Sequence, residues 1–164
     1  MNRGLSDELK AAFPNTFPVV RPLVQNLPIP DPQWVAGFVD GEACFFIKIS
    51  KSNTHKIGVA VSLSFILTQH YRDELLMKSL IEYFECGNIY KDRETVNFKI
   101  TKFNDFTNKV IPFFEKFKIL GVKALDFSNF CQAADIIKVK GHLTKDGLEK
   151  IREIKAGMNR GRAI

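Results

Sequence analysis

Two acidic side chains, Asp40 and Glu42, lie where a helix disfavours carboxylates. They lie near the end of an apolar segment, WVAGFVDGEACF, whose pattern predicts a helix that ends near Glu42. The C-terminal end of a helix carries a partial negative charge, which repels carboxylates. The chain as a whole is basic, with 24 Lys and Arg residues against 18 Asp and Glu residues. An acid at this end of a helix, in such a protein, indicates a bound cation.

The same helix is rich in small residues. Gly37 and Gly41 lie four positions apart, with Ala36 and Ala43 beside them. A glycine inside a helix costs roughly 1 kcal/mol relative to alanine, so this pattern indicates that another backbone approaches closely. Two interpretations are open. The helix could pack tightly inside its own domain, or it could pack against a copy of itself across a two-fold axis.

A regular alternation of helices and strands surrounds this segment. Asp31-Pro32 is typical of a helix start, with Asp as the N-cap and Pro in the first turn. Each predicted pair of strands has a short connection and should be antiparallel. The order therefore predicts an α+β fold, a four-stranded antiparallel sheet with helices on one face. The predicted strands cover 44–50, 58–69, 88–91 and 95–101, and the later helices cover 71–84, 104–117 (broken or kinked at Pro112), 124–138 and 145–158.

Side-chain alternation along these strands predicts one apolar and one polar face of the sheet. The polar face consists mainly of Ser, Thr, Asn and Lys, with no carboxylate. A polar face in water is ordinary for an antiparallel sheet, but short uncharged donors with Lys also suit the reading of base edges beside phosphates. The residues of this face are Cys44, Phe46, Lys48, Ser50, Ser52, Ala60, Ser62, Ser64, Ile66, Thr68, Asn97, Lys99 and Thr101.

Composition excludes several classes of protein. A chain of 164 residues can bury the core of one domain, and its 45% hydrophobic content argues against disorder. No apolar run approaches the ~18 residues that span a bilayer, so we expect no membrane partner. Charges near the N-terminus argue against a secretory signal. The odd number and wide spacing of the cysteines predict reduced thiols at Cys44, Cys86 and Cys131.

The first 30 residues differ from the rest. Residues 6–12 predict a short capped helix, and residues 13–32 hold six of the seven prolines, which predicts an extended strap against protein. We therefore expect a linker-like extension over 1–30 and a domain over 31–164. MNRG occurs at 1–4 and again at 158–161, as expected where one copy of a tandem protein runs into the linker before the next.

Residues 35–43 resemble the nine-residue motif of the LAGLIDADG homing endonuclease family. In VAGFVDGEA the close-packing positions stay small and the last acid is Glu42, while Gly41 and Ala43 depart from the family pattern. The predicted αββαββα order over about residues 31–158 strengthens the resemblance. Four further segments are similar to the C-terminal half, plus interdomain linker, of fungal mitochondrial intron-encoded two-motif enzymes: GLSDELKAAFPN, ILTQH, KILGVKALDF and HLTKDGLEKIREIKAGMNRGR. The chain then resembles either a natural single-motif relative or an engineered half.

The resemblance implies a saddle-shaped sheet over the DNA major groove and an active site shared by two motif helices. Glu42 is the expected ligand of Mg²⁺, for which Ca²⁺ or Mn²⁺ could substitute in binding or cleavage. Gln69 and Lys123 are expected in the surrounding network of water and phosphate. The residues expected at the interface with a second copy are Ala36, Gly37, Asp40 and Gly41, of which Asp40 shapes the helix end and does not bind metal.

The resemblance also implies a function. We expect a homodimer that hydrolyses double-stranded DNA at a long palindromic or pseudo-palindromic target, with a mitochondrial location. Two alternatives remain open. A maturase-like protein would bind nucleic acid and assist intron splicing without cutting. A βαββαβ RNA-binding platform would place exposed aromatic side chains on its central strands, where only Phe46 qualifies.

Overall fold

The computed structural model describes residues 5–17, 28–29 and 31–162. Helix α1 (Asp7–Ala12) begins after Ser6, whose hydroxyl accepts the Leu9 N–H at 3.2 Å, which confirms the predicted polar cap. Residues 18–27 and 30 lie outside the described residues, so the extended strap stays a prediction there. None of the described helices combines the length and the apolar character needed to cross a membrane.

Helix α2 (Pro32–Glu42) runs directly into strand β1 (Ala43–Lys51). The predicted start is confirmed, because the Asp31 carboxylate accepts the Gln33 N–H at 2.8 Å and Pro32 is the first helical residue. Proline suits this position, since its missing N–H would have no partner inside the helix. No loop separates helix from strand, so the acidic end of α2 is fixed at one end of the sheet.

A four-stranded antiparallel sheet forms the centre of the fold, as predicted. Its other strands are β2 (Val59–His70), β3 (Asn88–Asp92) and β4 (Thr95–Ile100), in the order β1-β2-β4-β3. Strands β2 and β4 are central, and β1 and β3 are edges. The β2–β4 pairing, from Phe65↔Ile100 to His70↔Thr95, joins the two hairpins into one sheet.

Helices cover the apolar face of this sheet. After α2 they are α3 (Glu74–Phe84), α4 (Phe103–Asp105), α5 (Ile111–Lys116), α6 (Lys123–Lys138) and α7 (Lys145–Ala156). Helices α2, α3 and α6 contact its strands, and α7 packs on α6. Between α4 and α5, residues Phe106–Val110 form a π-helical turn just before Pro112. Proline cannot donate a backbone hydrogen bond, so the helix widens there and continues, where a break or kink was predicted.

Phenylalanine dominates the core between sheet and helices. Phe45 and Phe65, on neighbouring strands, are fully buried with ring centroids 5.1 Å apart. Phe130 of α6 packs on Phe45 at 5.3 Å. The three cysteines are all within the described residues and are unpaired, which confirms the predicted free thiols. Burial raises the pKa of the Cys131 thiol to about 12, which makes it a poor nucleophile at neutral pH.

Candidate functional site

Glu42 is an exposed carboxylate at the junction of α2 and β1. Among the described residues it has no hydrogen-bond or ion-pair partner, and the next residue, Ala43, donates its N–H to the Val39 carbonyl as the helix ends. The dipole of α2 adds negative charge at the same place. The uncompensated charge makes Glu42 available to a cation from outside the chain.

Asp40 has different surroundings, although it lies only two residues earlier. It is half-buried, and its Oδ2 accepts the backbone N–H of Gly121 at 2.7 Å. The sequence predicted Asp40 at the interface with a second copy. In the structure its carboxylate is directed to a loop of its own chain, where it already has a hydrogen-bond donor.

The small residues of α2 divide between the two sides of the helix. Ala36 is only 2% exposed and Ala43 is also buried, because both lie on the side that carries Val35 and Val39 into the core. Ala36 therefore contributes no exposed surface to the interface predicted for it. Gly37 and Gly41 remain exposed, and a Cβ built on either meets no atom within 4 Å. Packing inside the chain therefore does not require glycine at these two positions.

Gln69 lies at the same end of the sheet as Glu42. The pairing of β1 with β2 ends at Ala43↔Leu67, so Gln69 lies two residues beyond the last pair, at the end of the sheet where α2 meets β1. The Gln69 side chain is half-buried, and its position pairs with Val96 on β4. The place of Gln69 in a network of water and phosphate at the axis stays a prediction.

Lys123 is the first residue of α6 and is half-buried. It lines an open cavity of about 1020 Å³ together with Cys44, which follows Glu42 by two residues. Burial raises the pKa of the Cys44 thiol, and the nearby positive charge of Lys123 opposes that increase. Residues far apart in the sequence, on β1 and α6, therefore meet next to the end of α2.

Asp126 is a residue of this region that the sequence did not single out. Asp126 is only 4% exposed. Its Oδ1 accepts the Asn159 N–H at 2.9 Å and the Arg162 Nη2–H at 3.0 Å. The Asn159 amide in turn donates to the Phe45 carbonyl on β1 at 3.0 Å. An acid in the first turn of a helix is a common pattern, so nothing local indicated that Asp126 holds the C-terminal segment against the edge strand.

The polar face of the sheet is largely accessible. Of the thirteen residues predicted there, twelve are exposed or half-buried, and Ser64, on the central strand β2, is the exception at 8% exposure. Thr68 and Asn97 hydrogen-bond to each other across β2 and β4 at 2.6 Å. Ser52 and Thr101 lie one position beyond the ends of β1 and β4.

Aromatic side chains on this face do not match an RNA-binding platform. Phe46 is exposed but lies on β1, an edge strand, whereas the prediction counted it on a central strand. The other strand aromatic with comparable exposure, Tyr90, lies on β3 at the opposite edge. Strands β2 and β4 present no exposed aromatic ring, and the stacking of bases on central strands requires one.

The described residues of one chain do not form a complete metal site. Within the described ranges, no three His, Cys, Asp or Glu residues lie together as a group that could hold a metal ion. Glu42 has the oxygen chemistry that suits a hard divalent cation. A metal bound there would need its other ligands from water, a phosphate or a second polypeptide.

Comparison with known proteins places these features in a family. Residues 35–134 match the family model described as LAGLIDADG endonuclease. A relative from Neurospora crassa, described as probable intron-encoded endonuclease 2, is 44% identical over 94% of this chain and 35% of its own length. The chain thus spans about a third of the length of that relative.

Solved structures give the same result. The crystal structure of the I-SmaMI LAGLIDADG homing endonuclease bound to cleaved DNA is 47% identical, with a TM-score of 0.95 over 99% of this chain and 55% of that one. I-SmaMI bound to uncleaved target DNA in the presence of calcium ions matches with a TM-score of 0.93 at 47% identity, over 96% of this chain and 54% of that one. On the strength of its motif helix, its sheet and these matches, the chain belongs to the LAGLIDADG endonuclease family.

Proposed function

We propose that two copies of this chain form a metal-dependent endonuclease that cuts double-stranded DNA at a specific site. The observation that carries the proposal is the exposed stripe of Gly37 and Gly41, which ends at Glu42, a carboxylate without a partner among the described residues. A second motif helix packed on this stripe would bring a second Glu42 to the axis. The site would then be shared between the two copies.

The two glycines support the dimer. Each costs stability in a helix, and no atom of the described residues lies within 4 Å of a Cβ built at either position. A second helix backbone that approaches closely would fill the space beside the two glycines. A two-fold axis through this contact would impose the same symmetry on the DNA, so we propose a palindromic or pseudo-palindromic target.

The polar face of the sheet supports DNA as the partner. Along β1, β2 and β4 it carries Lys48 and Lys99 among short uncharged side chains, and its carboxylate, Asp92, lies on the edge strand β3. A β-ribbon fits the major groove, where base edges differ in their donors and acceptors. I-SmaMI, which shares this fold at 47% identity, has been crystallised on DNA.

The chemistry would use three side chains of each copy. Glu42 would hold a divalent cation, which activates water and stabilises the leaving oxygen when bound. Lys123 would place its positive charge near the scissile phosphate, and Gln69 would orient water beside it. We propose Mg²⁺ as the natural ion; the calcium used with uncleaved I-SmaMI target supports an oxygen-ligand site of this kind. The intron-encoded relative supports an intron origin, and the mitochondrial location stays a prediction.

The test begins with selection of cleaved sites from a randomised duplex library in Mg²⁺. We expect two-fold related half-sites. Glu42→Gln should abolish cleavage of the selected site while binding in Ca²⁺ is retained. Glu82→Gln, an exposed acid on α3, is the matched control and should cut normally.

Two outcomes would contradict the proposal. Tight duplex binding without cleavage at any selected site would favour the maturase-like alternative. Cleavage by the Glu42→Gln variant would show that the metal is held elsewhere.

A further inference from the structure

Asp40 connects the end of the motif helix to the start of α6. Its hydrogen bond from the Gly121 N–H, at 2.7 Å, joins residues that are 81 positions apart. Asp40 precedes Glu42 by two residues, and Gly121 precedes Lys123 by two. A single contact therefore links the segment that presents Glu42 to the segment that presents Lys123.

The loop at Gly121 is shaped around this carboxylate. A Cβ at Gly121 would lie 2.5 Å from both oxygens of Asp40, closer than real Cβ contacts allow. Any other residue would push the carboxylate away or displace the loop. Gly121 differs in this respect from Gly37 and Gly41, whose open space is unused inside the chain.

Helix α6 has no side-chain cap of its own, so its first turn depends on this contact. The residue before it, Val122, makes no capping hydrogen bond. The turn is instead closed by the backbone, since the Gly121 carbonyl accepts the Ala124 N–H at 2.9 Å and the Val122 carbonyl accepts the Leu125 N–H at 3.1 Å. A displacement of Gly121 would therefore move Lys123 with it.

We propose that Asp40 is a positioning residue, which sets the place of Lys123 relative to Glu42 through Gly121. The inference rests on the proposed cleavage function, in which Glu42 and Lys123 act on one phosphate. Asp40 needs no contact with metal or DNA for this role, because a carboxylate that accepts a backbone N–H makes a strong, charge-assisted bond. Displacement of a catalytic group by about 1 Å can cost on the order of 100-fold in rate.

The experiment compares Asp40→Ala with Asp31→Ala in the full chain. Asp31 is a matched control, because its carboxylate also accepts a backbone N–H, at 2.8 Å, at the other end of the same helix. We expect Asp40→Ala to slow single-turnover cleavage about 10- to 100-fold. Asp31→Ala should lower the melting temperature to a similar degree and leave the rate near that of the unchanged chain. Asp40→Asn keeps an acceptor oxygen and should recover most of the rate.

Two further measurements separate positioning from general stability. In a Lys123→Ala background, Asp40→Ala should add no further loss of rate, because it acts through the side chain already removed. Independently of cleavage, amide hydrogen exchange over residues 121–125 should quicken in Asp40→Ala and not in Asp31→Ala. DNA affinity in Ca²⁺ and dimer assembly in sedimentation velocity should be the same for both.

The outcomes distinguish the inference from the proposed function. Equal rates for Asp40→Ala and Asp31→Ala, fully additive losses in the double variant, or a defect confined to dimer assembly would overturn the role of Asp40 and leave the nuclease in place. Failure of the unchanged chain to cleave any selected site would overturn the proposed function, and the role of Asp40 with it.

Discussion

Asp40 and Glu42 are separated by one residue and have opposite environments. Asp40 is half-buried and accepts a backbone N–H from a distant loop, whereas Glu42 is exposed and has no partner in the described part of the chain. The difference arises because α2 turns about 200° between them before β1 begins. Two acids of similar chemistry thus acquire different capacities, one to hold a loop and the other to bind a cation.

Phe45 and Phe46 show the same contrast on the strand. Phe45 is fully buried among four other rings, and Phe46 is exposed on the polar face. We predict that Phe45→Ala lowers the free energy of unfolding by about 3–5 kcal/mol, because a large cavity forms in the core. Urea denaturation measures this loss. Phe46→Ala is the control and should lower the free energy of unfolding far less. Equal losses for the two variants would show that the buried and polar faces of β1 are wrongly assigned.

At the scale of elements, the two sides of the motif helix α2 have different surroundings. One side of α2 packs into the core through Val35 and Val39, and the other side remains bare at Gly37 and Gly41. The bare side weakens the isolated helix and prepares it for a close contact with another chain. The two glycines thus lower the stability of the single chain, and close packing in the proposed dimer would recover it.

Gly37→Ala and Gly41→Ala test this division. Each added methyl group meets nothing within 4 Å, so each variant should stabilise the isolated chain by about 1 kcal/mol. Urea denaturation, at concentrations where the chain is monomeric, measures the gain. The same variants should weaken self-association in sedimentation velocity, because the methyl groups separate the two helices.

Gly121→Ala is the control for these two variants. Its Cβ would collide with the Asp40 carboxylate, so it should destabilise the chain. Unchanged self-association of the Gly37→Ala, Gly41→Ala double variant would contradict a helix-to-helix interface.

At the scale of the whole molecule, stability should depend on pH through His142. Burial, and to a smaller extent the charge of His55, lower the pKa of His142 below its ordinary value of 6.5, and its buried Nδ1 has no hydrogen-bond partner among the described residues. The unfolded chain therefore takes up the proton first as the pH falls. This contribution to stability is complete above about pH 6.5 and is lost as the pH drops toward the lower pKa of the folded state.

Thermal unfolding across pH 5.5–7.5 measures this dependence. His142→Gln should flatten the decline at acid pH, since the neutral amide has no proton to gain. The same substitution at His70 is the control and should leave the decline in place. An equally steep decline in the His142→Gln variant would assign the acid sensitivity to other groups.

Local patterns in the sequence were sufficient for most elements. The caps at Ser6 and Asp31 fix helix starts through short-range hydrogen bonds, and the structure shows both. Strand alternation likewise separated the buried face from the polar face, because this period depends only on neighbouring residues. Ser64 lies on the predicted face of the sheet, but neither its low exposure nor that of Ala36 could be predicted, because burial depends on which residues cover a side chain, and no local pattern contains that information.

The sequence by itself determined the motif, the acidic end of α2 and the order of strands and helices. These features depend on residue type and spacing over a few turns. Only the tertiary structure decided that Lys123 meets the start of β1, that Asp126 fastens the C-terminal segment, and that Asp40 holds Gly121. Such contacts join residues many positions apart, and their partners are selected by the packing of the whole core and not by any local preference.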